Sequence, residues 1–419
     1  MAVLCVFTLP VWSQETPTVG KCEKVSGALI RKQAKTWTAV KVGDAVKADD
    51  FVVAMPEAEI VSADGKVKII MLADIGKLGP YPVLEAGVRF LEPKKANLKI
   101  QFDRGLIAFK NTRKKGAASV EIQVRDTTLE LNLLKPDTTV AMEIFSRHKP
   151  GLPTIIDGKI EDPATFFAML VVKGELVISS AKASYKLKAP PGPAKLTWDS
   201  ILEEVQIETL AELPVDVDPK KKQGTLMFKT ICTAACQLNE REINSVLDAF
   251  LKSDKKIDQL VGVTALGAID DLPKLLQAFR TQKNGLVRKH AILVLRNWMG
   301  RKPGQVKKLY DALLKEKYSQ AHAKTILQLL FGFSFDDRED PATYDILINY
   351  LDHSQLPVRE LAHWHLVRLA PLGAVIPYDA AGSKESRVKA YRRWRKLIPE
   401  GKIPRIQKLK KKLQVESKN

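Results

Sequence analysis

The sequence predicts a multidomain chain, an all-β N-terminal domain followed by an all-α C-terminal solenoid of helical repeats. Three observations carry this prediction. Between Val25 and about Leu187, short β-rich runs alternate with turn residues. From residue 225 to 370 that alternation gives way to apolar residues three and four apart, as in Val246, Leu247, Phe250 and Leu251. Between the two regimes lie a Pro/Gly-rich break around Pro190 and Pro191 and a second boundary ending in Lys220, Lys221 and Lys222.

The β-region is justified by period-two patterning. Val67, Ile69 and Met71 are predicted to face one way while Lys66, Lys68 and Ile70 face the other. Val42-Gly43-Asp44, Ala63-Asp64-Gly65, Asp103-Arg104-Gly105 and Lys173-Gly174 are read as turns between strands. Leu196 to Val205 reads as a short helix or a closing strand.

Particular residues of this region resemble a known family. Val25-Ser26-Gly27-Ala28-Leu29, Trp37, Val42-Gly43-Asp44-Ala45-Val46, Ala48-Asp49-Asp50-Phe51 and Asp64-Gly65-Lys66-Val67 are similar to the opening of FecR-type domains. The runs beginning at Arg104, Val120, Thr138 and Val171 are similar to its later strands. The resemblance implies a non-catalytic domain outside the inner membrane. The relay role of the founding members, from an outer-membrane transporter to a sigma factor, is not carried over, because no apolar stretch of membrane-spanning length is found.

The helical region shows an internal repeat. Val287-Arg288 and Val358-Arg359 begin a shared Val-Arg-x-x-Ala-x-x-x-Leu pattern, with Ala291 and Leu295 matching Ala362 and Leu366. Gly262 with Leu266 and Ala323 with Leu327 are weaker copies, so the small residues fall 29, 32 and 39 positions apart. A small residue lets stacked hairpins approach, and Leu four later fills the same face. The pattern resembles HEAT-type repeats, about four of them, which implies a curved protein-binding surface and no chemistry. Arg288 and Arg359 are candidate interaction residues, with stabilisation of the repeat as the competing role.

The resulting division is a signal peptide at 1–14, a FecR-like domain at 22–190, a joint and linker at 191–224, HEAT-like repeats at 225–398 and a basic flexible tail at 399–419. The apolar start has about signal-peptide length, although no Lys or Arg precedes it. A periplasmic or secreted location is the expectation that follows, with a buried first strand as the alternative.

Catalytic chemistry finds little footing. There are six histidines, and His363 and His365, two apart on a helix, point to different faces. His290 and His322 each precede the small residue of their repeat, which suggests packing or a satisfied hydrogen bond. Cys232 and Cys236, four apart in a stretch read as one helix from Thr230 to Leu251, lack nearby partners for a metal. The acidic run Asp336 to Asp340 precedes Pro341 and fits a helix start. No phosphate-binding Gly loop, nucleophile elbow or His-Glu-x-x-His motif occurs. No catalytic, cofactor-binding or metal-ligating residue is therefore assigned, and the chain is expected to be no enzyme.

The formal charge is +19, and residues 384–419 hold 14 Lys/Arg against three Asp/Glu. Arg392, Arg393 and Trp394 on a terminal helix, and Lys410, Lys411 and Lys412 beyond it, are candidate contacts. Val388, Tyr391, Trp394 and Leu397 form the stripe that would cap the repeat. The expectation is an envelope scaffold whose solenoid docks a protein partner. The alternative is a binder of nucleic acid, anionic lipid or wall polymer through the tail.

Overall fold

Burial follows the period-two pattern where the sequence has it: Val67, Ile69 and Met71 are buried, while Lys68 and Ile70 on the opposite face are half-exposed. The structure, a computed structural model, describes residues 16–34, 36–72, 85–151, 153, 155–156, 159–189, 194–209, 226–281 and 283–404. The expected signal peptide at 1–14, residues 190–193 and 210–225 of the joint, and Lys410 to Lys412 lie outside the described residues.

The strands begin with β1 (Thr18–Val25), β2 (Ala28–Gln33), β3 (Thr36–Ala39), β4 (Ala45–Lys47), β5 (Phe51–Met55) and β6 (Ala58–Ser62). They continue with β7 (Val67–Leu72), β8 (Ala86–Leu91), β9 (Leu98–Asn111), β10 (Ala118–Val124), β11 (Thr127–Leu133) and β12 (Thr139–Arg147). Last come β13 (Ile155–Ile156), β14 (Lys159–Ile160), β15 (Ala164–Ser179), β16 (Ser184–Ala189), β17 (Ala194–Asp199) and β18 (Val205–Thr209). One ladder runs β4-β1-β6-β7-β9-β12-β15-β17-β18 and the other β3-β2-β5-β8-β9-β10-β11-β15-β16, so β9 and β15 belong to both. Ile60 and Ile69 from the first ladder share a core with Leu29, Val52 and Ile100 from the second.

Two expected turns are instead bends inside these shared strands. β9 pairs with β8 through Arg104 and with β12 from Gly105 onward, and β15 leaves β12 at Lys173 and takes up β16 at Gly174. Each glycine has φ of +92°, and a Cβ there would lie 2.4 Å from the Glu85 carbonyl oxygen or from Thr138 Oγ1. A side chain fits neither place, and the left-handed backbone lets one strand change partners without ending. The chain from 194 also remains in the sheet: β17 pairs with β15 and β18 with β17, so the part of the joint at 194–209 is strand rather than linker.

The helices are α1 (Leu226–Ala235), α2 (Gln237–Glu240), α3 (Ile243–Lys252), α4 (Lys256–Ala268), α5 (Leu272–Thr281) and α6 (Gly285–Gly300). Then follow α7 (Gln305–Lys315), α8 (Gln320–Phe331), α9 (Phe335–Glu339), α10 (Pro341–Asn349), α11 (Leu356–Leu369) and α12 (Lys384–Leu397). The stretch expected as one helix from Thr230 to Leu251 is broken twice. Arg241 and Glu242 are extended, and the Glu242 carboxylate caps α3 by accepting from the amides of Asn244 and Ser245. Asp340 likewise caps α10, accepting from the Ala342 amide at 2.9 Å.

The hairpins α3–α4, α5–α6, α7–α8 and α10–α11 stack through their second helices, with α6 touching α4, α8 and α11. Ala291, Ala323 and Ala362 on those second helices are fully buried. A Cβ on Gly262 of α4 would come within 2.9 Å of the Phe250 Cβ in α3. The core of the helices also takes in Ala28, Ile30, Phe51, Val53 and Met55 from β2 and β5. The strand-rich and helical regions are thus packed on each other across the outer face of the second ladder.

Candidate functional site

Beside the apolar contact of β2 and β5 with the helices, the seam between the two regions carries a cluster of charged groups. Arg104 of β9 donates through Nη2 to the Ala268 carbonyl at 2.6 Å, and Arg301, just past α6, donates through Nη1 to the Gly267 carbonyl at 2.6 Å. Both guanidiniums therefore sit at the C-terminal end of α4, where the helix dipole favours cations. Glu85 lies between them, 2.6 Å from Arg301 Nη2 and 3.5 Å from Arg104 Nε, and is 3% exposed. Asp103 holds Arg104 Nη1 at 2.5 Å and Lys302 at 3.1 Å. Burial by itself would raise the Asp103 carboxyl, but Arg104, Lys302 and Arg301 outweigh it and hold it down to about 2. Burial, reinforced by Arg104, brings the Arg301 guanidinium down to about 10.

Close approach completes the seam. A Cβ on Gly300 would lie 2.5 Å from the Ser146 carbonyl oxygen, so only glycine lets the end of α6 abut β12. Asn239 of α2 donates to the Gly27 carbonyl at 2.8 Å and accepts from the Leu29 amide at 3.2 Å.

Where β12 meets α6 and α8, a cleft of about 310 Å³ opens, with mostly apolar walls that include Phe145, Ile201, Met299, Leu330 and Phe331. His148 faces it, its Nε2 3.3 Å from the Met299 carbonyl and its ring 5.0 Å from Phe331, and burial lowers its pKa. Pro150 and Arg296 line this cleft and also a second hollow of about 380 Å³ beside it. There Trp364 is bracketed by guanidiniums, Arg296 at 5.3 Å and Arg368 at 4.5 Å from the ring centroid, and Arg338 lines the same space.

The sequence-predicted residues do not gather at one place. Arg288 is 1% exposed and donates to Glu360 at 2.6 Å, Asp379 at 2.7 Å and the Lys283 carbonyl at 2.9 Å. Arg359 donates to the carbonyls of Ala380, His353 and Ser354 at 2.7, 2.7 and 2.9 Å. Both candidate interaction residues are thus engaged inside the protein. Trp394 is fully buried, against Gly373 and 6.4 Å from the His363 ring, so it is an anchor for α12 rather than a surface contact. Arg392 and Arg393 on the same helix are exposed.

His363 and His365 do point apart, the first toward Tyr378 and the second toward Phe333. His365 Nε2 is 2.6 Å from the Leu329 carbonyl, and His290 Nε2 is 2.8 Å from Thr264 Oγ1. Burial depresses all three rings, His290 and His363 to about 4 and His365 to about 3. Cys232 and Cys236 are half-buried thiols, with Cys236 Sγ 3.0 Å from the Thr233 carbonyl. Among the described residues no group of three or more His, Cys, Asp or Glu is placed to hold a metal ion.

Among the structural residues that escaped the sequence reading, one shares the pattern of the repeats. Arg387 donates to the Gly382 carbonyl five positions earlier at 2.7 Å, as Arg288 does to Lys283 and Arg359 to Ser354. Its helix carries Ala390 and Trp394 where the repeats carry Ala and Leu, both buried. The Arg-x-x-Ala spacing was present, but Trp in place of Leu and a preceding Ser in place of Val hid it. Among the described residues no helix is long and apolar enough to cross a membrane. Comparison with known proteins finds no family model, no curated protein and no solved structure that matches the chain.

Proposed function

We propose that the chain is a non-catalytic interaction or sensing scaffold of the cell envelope, with a FecR-like strand-rich part and a HEAT-like solenoid that docks a protein partner. The observation that carries this reading is the stack of hairpins, with Ala291, Ala323 and Ala362 buried along its second helices. Stacked helical repeats present extended surfaces suited to protein contact. Large apolar side chains remain outside on this half, with Phe335 61%, Leu372 56% and Leu286 50% exposed. The buried seam gives a docking event on the helices a direct mechanical connection to the strands.

The test is photo-crosslinking of the full chain in cells, with the crosslinker placed in turn at Leu286, Phe335 and Leu372, followed by fractionation. A single envelope protein captured at one of these sites supports the proposal. Cytoplasmic, unprocessed chain that captures nothing rejects it.

A second reading is a polyanion binder. Arg392, Arg393 and Lys396 are exposed on α12 and make no ion pair among the described residues. Affinity for nucleic acid or anionic lipid that collapses between low and moderate salt would support it; salt-insensitive binding would reject it.

A further inference from the structure

The hollow around Trp364 has a composition that neither reading uses. Arg296, Arg338 and Arg368 line it together with His365, and none of its lining residues is acidic. Arg338 and Arg368 make no ion pair among the described residues. A guanidinium that is not ion-paired within the protein can take a bound anion as its counter-charge.

The arrangement is also ordered. Arg296 and Arg368 are held over the indole of Trp364, and Arg368, which makes no ion pair among the described residues, keeps N–H groups for a planar or tetrahedral oxyanion. Arg296 is fixed further by donation from Nη1 to the Leu330 carbonyl. Gly332, at φ of +84°, forms a wall where an added Cβ would lie 3.1 Å from Arg296 Nη1, so the backbone approaches the cation closely. The His365 ring responds to the same field: after burial, Arg296, Arg368 and Arg338 each push it further from its protonated form. Arg296 and Pro150 are shared with the mostly apolar cleft at β12, so a cationic space and an apolar one adjoin.

We propose that these two spaces form one binding site for a small anionic amphiphile, with a carboxylate or phosphate head at Arg296, Arg338 and Arg368 and a hydrocarbon body in the cleft beside Met299 and Phe331. The chemistry is that of an acyl carboxylate or an alkyl phosphate ester, and it is independent of whether a protein docks on the helices.

The test is calorimetric titration of the full chain with decanoate, decyl phosphate, decanol and inorganic phosphate, all below their aggregation concentrations. At least one decyl anion is expected to bind with one-to-one stoichiometry, and decanol and inorganic phosphate at least tenfold more weakly. Tighter binding of decanoate assigns the site to free carboxylates, and tighter binding of decyl phosphate assigns it to phosphate esters. The double variant R338Q/R368Q is expected to lose at least tenfold in affinity with an unchanged melting temperature. R368K, which keeps the charge but not the guanidinium, should lose less, and K94Q/K95Q, at exposed positions between β8 and β9, should lose nothing. Failure of both decyl anions to bind, equal binding of decanol, or an affinity unaltered in R338Q/R368Q would overturn the proposal.

Discussion

Arg104 in the strand β9 reaches across to the helical region and donates to the carbonyl of Ala268, the last residue of α4, at 2.6 Å. One strand residue thereby closes the end of a helix in the other half. The contact is buried on both sides, with Arg104 4% and Ala268 0% exposed, so solvent does not screen it. The partner groups Glu85 and Asp103 keep the two guanidiniums neutralised in a place from which water has been removed.

The first prediction concerns that neutralisation. Glu85→Ala leaves Arg104 and Arg301 buried without the carboxylate between them, and removing one partner of a buried pair costs about 3–5 kcal/mol. The expected result in urea denaturation is an unfolding free energy lowered by that amount, or a biphasic transition if the two halves part before either unfolds. Lys24→Ala, whose ion pair with Glu59 is exposed, should change the unfolding free energy by no more than about 1 kcal/mol.

The second prediction separates a bend from a turn. Gly105→Ala and Gly174→Ala each combine left-handed backbone with a Cβ placed 2.4 Å from a fixed neighbour. Gly65→Ala shares the positive φ, at +70°, but meets nothing within 4 Å. Gly65→Ala is expected to cost about 1–2 kcal/mol, the left-handed penalty alone, and the other two clearly more. Equal losses at all three positions, measured by thermal or urea melts, would mean that β9 and β15 absorb the clash by shifting.

These bends show where the sequence was legible and where it was not. Alternation in Val67 to Met71 identified β7 because one of its faces is buried and the other half-exposed. Gly105 and Gly174 carry the same local signal as Gly65, since a glycine requiring positive φ looks alike in a hairpin and in a bent strand. Only the partner strands β8, β12 and β16, distant in sequence, distinguish the cases. The run Phe51-Val52-Val53-Ala54-Met55 held an unread clue: unbroken apolarity means burial on both faces, and here the second face is covered by the helices.

The cationic hollow was illegible for a related reason. Arg296, Arg338 and Arg368 stand 42 and 30 positions apart and share no motif. Arg296 on α6, Arg338 on α9 and Arg368 on α11 meet around Trp364, so the site exists only at the level of packed helices. Arg288 and Arg359 were conspicuous for the opposite reason. Both perform the same local task, tying down the loop before their own helix, and a repeated task leaves a repeated pattern.

The third prediction measures that task. Arg288→Met strands the Glu360 carboxylate, which is 2% exposed and whose pKa burial already raises against the pull of Arg288. The single variant should lose about 3–5 kcal/mol, and R288M/E360Q should recover much of it, because replacing both partners removes the isolated charge. A double variant no better than R288M would place the role of Arg288 in its bonds to Asp379 and Lys283 instead.

The fourth prediction is a pH dependence whose sign follows from burial. His290, His363 and His365 are neutral in the folded protein, with pKa values of about 4, 4 and 3 against an ordinary 6.5. The unfolded chain therefore takes up protons that the folded chain refuses, and stability present above pH 6.5 is lost as pH falls toward 4. Each unit of depression is worth about 1.4 kcal/mol, so by pH 4.5 the loss is on the order of 2 kcal/mol per ring. Asp103 acts in a separate window: its contribution is present above the ordinary carboxyl value of 3.8 and is lost only as pH falls from there to about 2. Urea midpoints between pH 7.5 and 4.5 isolate the histidines from it. His290→Gln, which can still hydrogen-bond Thr264, should flatten part of the decline, to which His148 and His353 with their lowered pKa values also contribute; a decline unchanged in that variant would mean that His290 is protonated without loss of the fold.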